Sequence, residues 1–397
     1  MDHTTRHTLT RLGAAFALSW AATSMVVGPG SAALVRLSGN LAFAGLYVAL
    51  FNIGAATGAA LGGRAMDRYG RKPPLLVAYL ISAVGYAIAG IGVQRGVLPL
   101  LVLGAFILAA AFGTAGLTRL AAAEMFAPSE RGRGVAWVQI AAIFGAVTGP
   151  ALLLLSEPLG RVLGRAPLDL VWFFAPPLLL LAAFLIVGAA EPRSIAQVTA
   201  VPGGPPVAAA PSQPSSSPRA VVAATVSLAS SQASMAAVMG VSGAAVAHAG
   251  HGVPVLSTVM LAHFVGMFGL SRLVGRFADR VGRRQTILAG LALLVIGGVV
   301  VAVVPGVTGY AVGLLLVGLG WSFGFIGSTV LLADATAPER RARIVGRADL
   351  VAQLSAAVVA VGGGWWFAQR GVAGLGIFAI VVAALPVIFV MRARTPA

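Results

Sequence analysis

Long apolar runs separated by short charged loops recur along the whole of this 397-residue chain. Hydrophobic residues make up 58% of the sequence and charged residues only 10%, whereas soluble domains are roughly half apolar and about a quarter charged. A run of about 18 apolar residues is long enough to cross a bilayer as a helix. The chain is therefore expected to be an all-α protein that crosses a membrane many times.

Twelve such runs can be counted, and they fall into two groups of six. The first group comprises residues 12–35, 41–61, 75–93, 98–120, 135–155 and 170–190. The second group comprises residues 221–241, 253–273, 287–304, 310–333, 344–367 and 373–391. The first run follows a basic segment but is longer than the apolar part of a signal peptide, so we expect an uncleaved membrane helix.

A segment of different composition, residues 191–218, separates the two groups. Pro, Gly, Ser and Ala dominate it, and it has no apolar period. This composition predicts a flexible linker. The expected domains are an N-terminal six-helix bundle over residues 1–190, the linker over 191–218, and a C-terminal six-helix bundle over 219–397.

Two charged loops repeat between the halves. The sequence GRAMDRYGRKPP follows the second run, and GRFADRVGRRQT follows the eighth. EMFAPSERGR and DATAPERRAR, which follow the fourth and tenth runs, recur after nearly the same interval. Two unrelated loops repeated at one offset predict two bundles related by a pseudo-twofold axis along the membrane normal.

The basic residues indicate the orientation in the membrane. With both termini on one side, that side holds 22 of the 27 Lys and Arg residues. The positive-inside rule then predicts cytoplasmic termini, in a plasma or inner membrane. The net charge of +16 is spread over many short loops rather than gathered in one patch, so nucleic-acid binding is excluded.

The repeated loop resembles the signature of the major facilitator superfamily, Gly-x-x-x-Asp-Arg-x-Gly-Arg-Arg/Lys, and the resemblance extends over essentially the whole chain. The first copy contains Gly63, Asp67, Arg68, Gly70 and Arg71, and the second contains Gly275, Asp279, Arg280, Gly282 and Arg283. The resemblance implies a secondary transporter that works by alternating access, with this loop acting as a cytoplasmic latch.

The resemblance also implies contacts for the latch. Asp67 is expected to face the Ile344 end of the eleventh run, and Arg71 to pair with Glu124. An Asp beside a helix N-terminus is stabilised by about 0.3–2 kcal/mol.

In the second copy Arg283 is expected to pair with Asp334. Gly70 and Gly282 would permit a tight turn with positive φ. The alternative is that these loops serve only topology and solubility, and we prefer that interpretation for the basic neighbours Arg64, Lys72, Arg276 and Arg284.

A second resemblance lies in the fifth run, where GAVTGP contains Gly145, Gly149 and Pro150. It resembles a motif of the family's drug/proton antiporters, and this implies proton-coupled efflux. Small residues four apart let helices approach closely. The sequence departs from the motif at Leu153 and Leu154, where Gly-Gly is usual, and the fourth run lacks the family's central basic residue.

In this architecture the substrate site lies near the membrane midplane. We place none of the eleven acids there and no Lys or Arg, which argues against a strongly anionic substrate. His263 is the titratable side chain we place nearest the middle, either as a proton carrier or as a neutral, hydrogen-bonded packing residue. Further candidates for the cavity are Asn52, Gln139, Gln232 and Gln353, with Trp20, Phe112, Met235, Trp321 and Phe325 as apolar lining.

The sequence contains no cysteine, phosphate-binding loop, paired catalytic carboxylates or zinc-ligand spacing. We therefore expect no catalytic residues, metal or cofactor. The expected function is secondary transport of a small neutral or amphipathic solute by a monomer in the bilayer, through proton-coupled efflux. The alternatives are an uncoupled importer or facilitator of a neutral metabolite, and a non-transporting receptor on the same scaffold.

Overall fold

The computed structural model describes residues 3–126, 131–191, 218–336 and 338–392, with backbone only at 131–136, 139 and 338–343. In these ranges every regular element is helical. The interior of the predicted linker, 192–217, lies outside the described residues, so the domain boundaries at 190 and 219 stay predictions.

Six spans form the N-terminal bundle. Span one is His3–Ser38, span two is a 3-10 turn Leu41–Gly45 followed by Leu46–Tyr69, and span three is Lys72–Arg95. Span four is Leu98–Ala115 with Thr118–Glu124, span five is Arg131–Leu154 followed by Ser156–Leu163, and span six comprises Pro167–Leu170, Val171–Phe173 and Ala175–Val187.

The C-terminal bundle repeats this order. Span seven is Pro218–His248, and span eight is Val253–Phe264, a π-helical turn Val265–Gly269 and Ser271–Val281. Span nine is Arg283–Val303 and span ten is Gly306–Asp334. The remaining helices are Pro338–Ala384 and Val387–Arg392.

The helix Pro338–Ala384 contains two spans, because it breaks at Gly371. This glycine has φ 64° and ψ −161°, which are not helical values. Trp366 stacks on Phe378 with ring centroids 6.1 Å apart, although twelve residues of continuous helix would separate them by about 18 Å. The chain therefore reverses at Gly371. Of the described helices, eleven are long and apolar enough to cross a membrane, and division of the last gives the twelve predicted spans.

Glycines bring helices of each bundle together, between spans three and four in the first half and between the equivalent spans nine and ten in the second. A Cβ on Gly104 of span four would lie 2.6 Å from the carbonyl oxygen of Gly85 in span three. A Cβ on Gly320 of span ten would lie 2.8 Å from the carbonyl oxygen of Gly290 in span nine. Only hydrogen fits at such contacts, which are typical of helix packing in lipid.

Three pairs of spans close the two bundles together on the side away from the motif loops. Spans one and seven touch where a Cβ on Gly243 would overlap the carbonyl oxygen of Gly28. Beside this contact, the backbone amide of Ala244 in span seven donates to Ser31 Oγ in span one at 3.1 Å.

Spans two and eleven meet where a Cβ on Gly45 would overlap the carbonyl oxygen of Ala360. Spans five and eight are joined by Ser257, whose hydroxyl donates to the carbonyl oxygen of Pro150. We call these contacts the outer seal, because the side away from the motif loops is the one predicted to face outward.

The outer seal leads to a prediction about conformational balance. Gly243→Val should force spans one and seven apart and favour the outward-facing state, because overpacking costs about 1–3 kcal/mol, equivalent to about a 5–150-fold change in population. Since the chain has no cysteine, a Ser257→Cys reporter can be labelled without background. Labelling by a membrane-impermeant maleimide from outside should increase within that range.

The matched control is Gly346→Val in the same reporter background. Gly346 has open space where its Cβ would lie, so labelling should stay at the level of the reporter alone. Equal labelling of the Gly243→Val and control proteins would show that the outer seal does not hold the inward-facing state.

Candidate functional site

The first motif loop is tied to span four by a two-pronged ion pair. Arg71 Nε lies 2.8 Å from Glu124 Oε2, and Arg71 Nη2 lies 2.8 Å from Glu124 Oε1. Arg71 Nη1 also donates to the carbonyl oxygen of Met66 at the end of span two. The hydrogen bond to Glu124 is the main cause that raises the pKa of Arg71, so the guanidinium stays charged. This one side chain therefore joins spans two and four.

The second motif loop repeats the arrangement with a shorter acid. Arg283 Nε lies 3.1 Å from Asp334 Oδ2, and Arg283 Nη1 donates to the carbonyl oxygen of Ala278. The side chain of Asp334 is 47% exposed, against 17% for Glu124. The two halves thus share one design, but the described contacts of the second ion pair are weaker.

The described contacts of the motif aspartates lie within their own loops and do not hold the two bundles together. Asp67 is 80% exposed and lies 3.4 Å from Arg71 of its own loop. Asp279 is 75% exposed and lies 3.5 Å from Arg283. Gly63 and Gly275 likewise face open space. The contact of Asp67 with the Ile344 end of span eleven therefore stays a prediction, for a state in which the cytoplasmic side is closed.

The remaining arginines of the motif lie at the surface. Arg68 stacks over the ring of Tyr69, 5.3 Å from its centroid, and Arg280 is exposed on the last turn of span eight.

Two basic residues that we had assigned only to topology make specific contacts. Lys72 Nζ donates to the carbonyl oxygens of Val187 and Ala189, both at 2.8 Å, at the end of span six. Arg284 Nη2 donates to the carbonyl oxygen of Met391 at the end of span twelve, also at 2.8 Å. Topology alone is therefore the wrong interpretation for both. Both residues lie at the start of a span, spans three and nine, and this shared position is the feature of the sequence that could have indicated specific contacts.

Glu191 is a further residue that the sequence did not single out. It opens the predicted linker, and its carboxylate accepts the backbone N–H groups of Arg71 and Lys72 at the start of span three. A carboxylate at a helix N-terminus satisfies amides that have no partner within the helix. The start of the linker is thereby fixed to the first motif loop.

Aromatic rings from both bundles meet near the middle of the spans. Trp20 of span one lies 5.3 Å from Phe112 of span four and 5.4 Å from Phe268 of span eight, between ring centroids. Phe268 lies 6.0 Å from Trp321, which stacks on Phe325 at 4.9 Å. We call these five rings the aromatic cluster. It crosses the interface between the bundles at the depth expected for a substrate site.

The aromatic cluster agrees with part of the predicted lining. Trp20, Phe112, Trp321 and Phe325 are each partly exposed, whereas Met235 is buried in the C-terminal core and does not line a cleft. Phe268 was missed, since nothing in the sequence distinguishes it from a packing residue. It supplies the contact with Trp20 across the interface.

Gln232 of span seven borders the aromatic cluster. Its Oε1 accepts the indole N–H of Trp321. Since a Trp side chain only donates, this bond fixes the orientation of the amide and leaves Gln232 Nε2 as the free donor end. Trp20 Nε1 is buried and has no hydrogen-bond partner among the described residues. Two N–H donors therefore accompany the rings.

The other predicted polar residues are less well placed. Asn52 is buried and donates to the carbonyl oxygen of Val48 one turn earlier in its own span, at 2.7 Å. Gln353 Oε1 is buried in span eleven without a partner in the described part of the chain. The side chain of Gln139 lies outside the described residues. The geometry thus singles out Gln232.

His263 is enclosed between spans eight and ten. The side chain is fully buried, and its Nδ1 lies 3.0 Å from the carbonyl oxygen of Leu314. A Cβ on Gly318 would overlap the carbonyl oxygen of His263, so only glycine fits there. His263 Nε2 is buried without a described partner. Of our two interpretations, this geometry favours the neutral packing residue.

The GAVTGP segment brings span five against span one and sets the position of Trp20. A Cβ on Gly145 would overlap the carbonyl oxygen of Ala17 and lie 2.8 Å from Trp20 Cβ. A Cβ on Gly149 would lie 2.5 Å from the carbonyl oxygen of Ala21. The described contacts thus assign this segment a packing role next to the aromatic cluster.

One acid lies between the loops and the aromatic cluster. Asp349 of span eleven is partly buried and within electrostatic range of Arg119, at the inner end of span four. From the sequence we placed Asp349 among the acids that lie away from the midplane. A lone acid within an apolar run was the signal, because such residues are rare in membrane spans.

Comparison with known proteins identifies the family. A sequence model of the Major Facilitator Superfamily matches residues 12–269 and 224–397. The chain belongs to the major facilitator superfamily. It is accordingly a multi-pass membrane transporter and not an enzyme, and the alternative of a non-transporting receptor is set aside.

Two relatives among curated proteins share most of their length with this transporter. The uncharacterized MFS-type transporter YdeG of Bacillus subtilis is 29% identical over 334 residues, covering 81% of this chain and 76% of the relative. The riboflavin transporter RfnT of Brucella anthropi is 26% identical over 360 residues, covering 87% and 85%.

Solved structures show the same fold. The xylose transporter XylE from E. coli, in a partially occluded inward-open conformation, has a TM-score of 0.74 at 16% identity over 98% of both chains. The human organic anion transporter MFSD10 has a TM-score of 0.63 at 15% identity, covering 98% of this chain and 100% of that one.

The two ion pairs lead to a comparison of stabilities. Glu124→Gln should lower the free energy of unfolding by about 1–3 kcal/mol, because it leaves a largely buried guanidinium without its charged partner. Asp334→Asn should cost under about 1 kcal/mol, since that acid is half exposed. Thermal unfolding of both purified variants, followed by tryptophan fluorescence, checks the difference. Equal midpoints would contradict it.

The packing of span five leads to a second stability prediction. Gly145→Ala should lower the free energy of unfolding by about 1–3 kcal/mol, because the added methyl meets the backbone of span one. Gly346→Ala is the control. It should leave the protein equal or more stable, since alanine is favoured over glycine in open helical positions by about 1 kcal/mol. Thermal midpoints of the two variants would coincide if Gly145 had no packing role.

Proposed function

We propose that this transporter carries a small neutral or amphipathic organic solute across a plasma or inner membrane by alternating access, as a monomer with both termini in the cytoplasm. The aromatic cluster is the observation that supports this substrate class. It lies at the midplane, combines rings from both bundles, and has the uncharged amide of Gln232 beside it. A polyanionic solute would need basic side chains at that depth.

The relatives are compatible with this class. One is named a riboflavin transporter, and riboflavin is an uncharged organic solute. We therefore include solutes of that kind among the first to be tested for this chain.

The two gates have different chemistry. The outer seal consists of backbone contacts at Gly243 and Gly45 and hydroxyl hydrogen bonds. The proposed inner gate consists of the motif loops, in which Asp67 would move from its exposed position to the Ile344 end of span eleven. Asp349 and Arg119 carry opposite charges on the two bundles and would attract each other as the cytoplasmic side closes.

We further propose that the solute leaves the cytoplasm in exchange for protons. This direction follows the resemblance of Gly145, Gly149 and Pro150 to the antiporter motif. His263 is the candidate for proton exchange, because its imidazole has a free Nε2 near the midplane. The second candidate function is uncoupled movement of a neutral metabolite, and the enclosure of His263 between spans eight and ten favours it.

Proteoliposomes test the coupling. Vesicles containing the purified protein and one solute each from a panel of riboflavin, uridine and D-xylose are given a pH gradient, with no gradient as the reference. A proton antiporter should move at least one solute faster against the incoming protons. His263→Asn should abolish this acceleration, because an amide keeps a donor for the Leu314 carbonyl but does not titrate in this range.

Counterflow of the same solute at equal pH is the control for His263→Asn, since exchange without a gradient needs no net proton movement. Retained counterflow would show that the variant is folded and binds its solute. Wild-type transport that is indifferent to the pH gradient would select the uncoupled function.

A further inference from the structure

We infer that the solute is a planar heteroaromatic compound with hydrogen-bond acceptors, and that it binds in the aromatic cluster between the two bundles. This inference rests on the proposed transport function and narrows its substrate class.

The rings of the aromatic cluster offer both faces and edges to a flat ligand. Trp321 and Phe325 are nearly parallel, 18° apart, and present a partly exposed stack from the second bundle. Trp20 meets Phe112 and Phe268 edge to face, at 82° in both cases. Offset stacking and edge-to-face contacts are the favoured geometries of aromatic pairs. A planar ligand can therefore replace ring contacts across the interface with ring contacts of its own.

The polar groups beside the rings are donors. Trp20 Nε1–H is buried without a described partner, and Gln232 Nε2 is directed away from its bond with Trp321. A buried donor without a partner is unfavourable, and an acceptor on the ligand would remove this cost. Ring nitrogens and carbonyl oxygens in the plane of a heteroaromatic compound are such acceptors.

The same donors argue against two other kinds of ligand. Aromatic faces attract organic cations, but two N–H donors at the site would repel a positive charge. A sugar has many hydroxyl groups, each of which needs a hydrogen-bond partner once it is buried. The aromatic cluster offers Gln232 and the Trp20 indole for that purpose and is otherwise composed of rings.

The location of Trp20 makes the site sensitive to the state of the transporter. Its Cβ lies against Gly145 of span five, and its ring touches Phe268 of the other bundle. A ligand between Trp20 and Phe268 would contact both bundles at once. Binding would therefore be expected to affect the position of one bundle relative to the other.

Lumichrome, a planar tricyclic compound with two carbonyl groups and ring nitrogens, is the probe. We would titrate it into the full-length protein in lipid nanodiscs and follow quenching of its fluorescence. Phe112→Leu should weaken binding about tenfold by removing a ring. Trp20→Phe keeps a ring but deletes the donor, and should weaken binding about fivefold or more.

Gln232→Glu is the matched variant for the amide. The carboxylate still accepts the bond from Trp321 Nε1, but it replaces the free donor with an oxygen, so lumichrome binding should fall about tenfold. Trp365→Phe is the control. Trp365 is exposed on span eleven, and its replacement should leave the affinity unchanged. Thermal midpoints accompany every variant, and Gln232→Glu preserves side-chain volume.

The outcomes separate the inference from the function on which it rests. Absence of lumichrome binding in a protein that transports D-xylose would overturn the inference and leave the transport function intact. If lumichrome did not bind and no solute moved, both would fall. Binding that is unchanged in Phe112→Leu, Trp20→Phe and Gln232→Glu would place the ligand elsewhere and overturn the assigned site.

Discussion

The high free energy of a charge in hydrocarbon is the constraint on which the arrangement of this transporter depends. Ionisable side chains concentrate at the two membrane faces, where they form pairs such as Arg71 with Glu124 on the side of the motif loops and Arg36 with Asp169, at 2.6 Å, on the opposite side. Between them, the described midplane holds rings, an amide and the imidazole of His263. The same physical rule therefore determines both the topology of the chain and the kind of solute that its centre is suited to bind.

A second consequence of the bilayer is that lipid supplies no hydrophobic force to hold helices together, so association depends on close packing and hydrogen bonds. The outer seal follows this pattern, with the backbones of Gly243 and Gly28 in contact and Ser31 bonded to an amide. The proposed inner gate consists instead of charged side chains in loops that reach water. The two gates should therefore differ in their sensitivity to ionic strength. Ionic strength screens the inner charges and has little effect on buried backbone contacts.

Sequence alone predicted the parts of this fold that depend on apolar length and on repeated loops. Twelve spans, two bundles and the residues of both ion pairs could be read in this way. It could not identify which face of each span lines the centre, because membrane helices are apolar on all sides. Phe268 and Met235 look equally suitable in the sequence, yet the former joins Trp20 and the latter is buried in the C-terminal core.

The sequence was also insufficient where a residue's partner is the backbone. Lys72 and Arg284 carry no sign that their targets are carbonyl groups at the ends of spans six and twelve. Such partners depend on where distant helices end, which is a property of the assembled bundle. Asp67 illustrates a different difficulty, since the contact that the resemblance implies for it stays a prediction and its described partner is Arg71 of its own loop.

Repetition in the sequence does not make the two latch loops equivalent. The first is held by a carboxylate with two hydrogen bonds to Arg71, and Glu191 at the start of the linker adds further bonds to the same turn. In the second loop a shorter, more exposed acid faces Arg283. Because less interaction energy opposes its movement, the second loop is the one that should rearrange first as the cytoplasmic side closes. The two loops of the pseudo-symmetric scaffold are thus held with unequal strength.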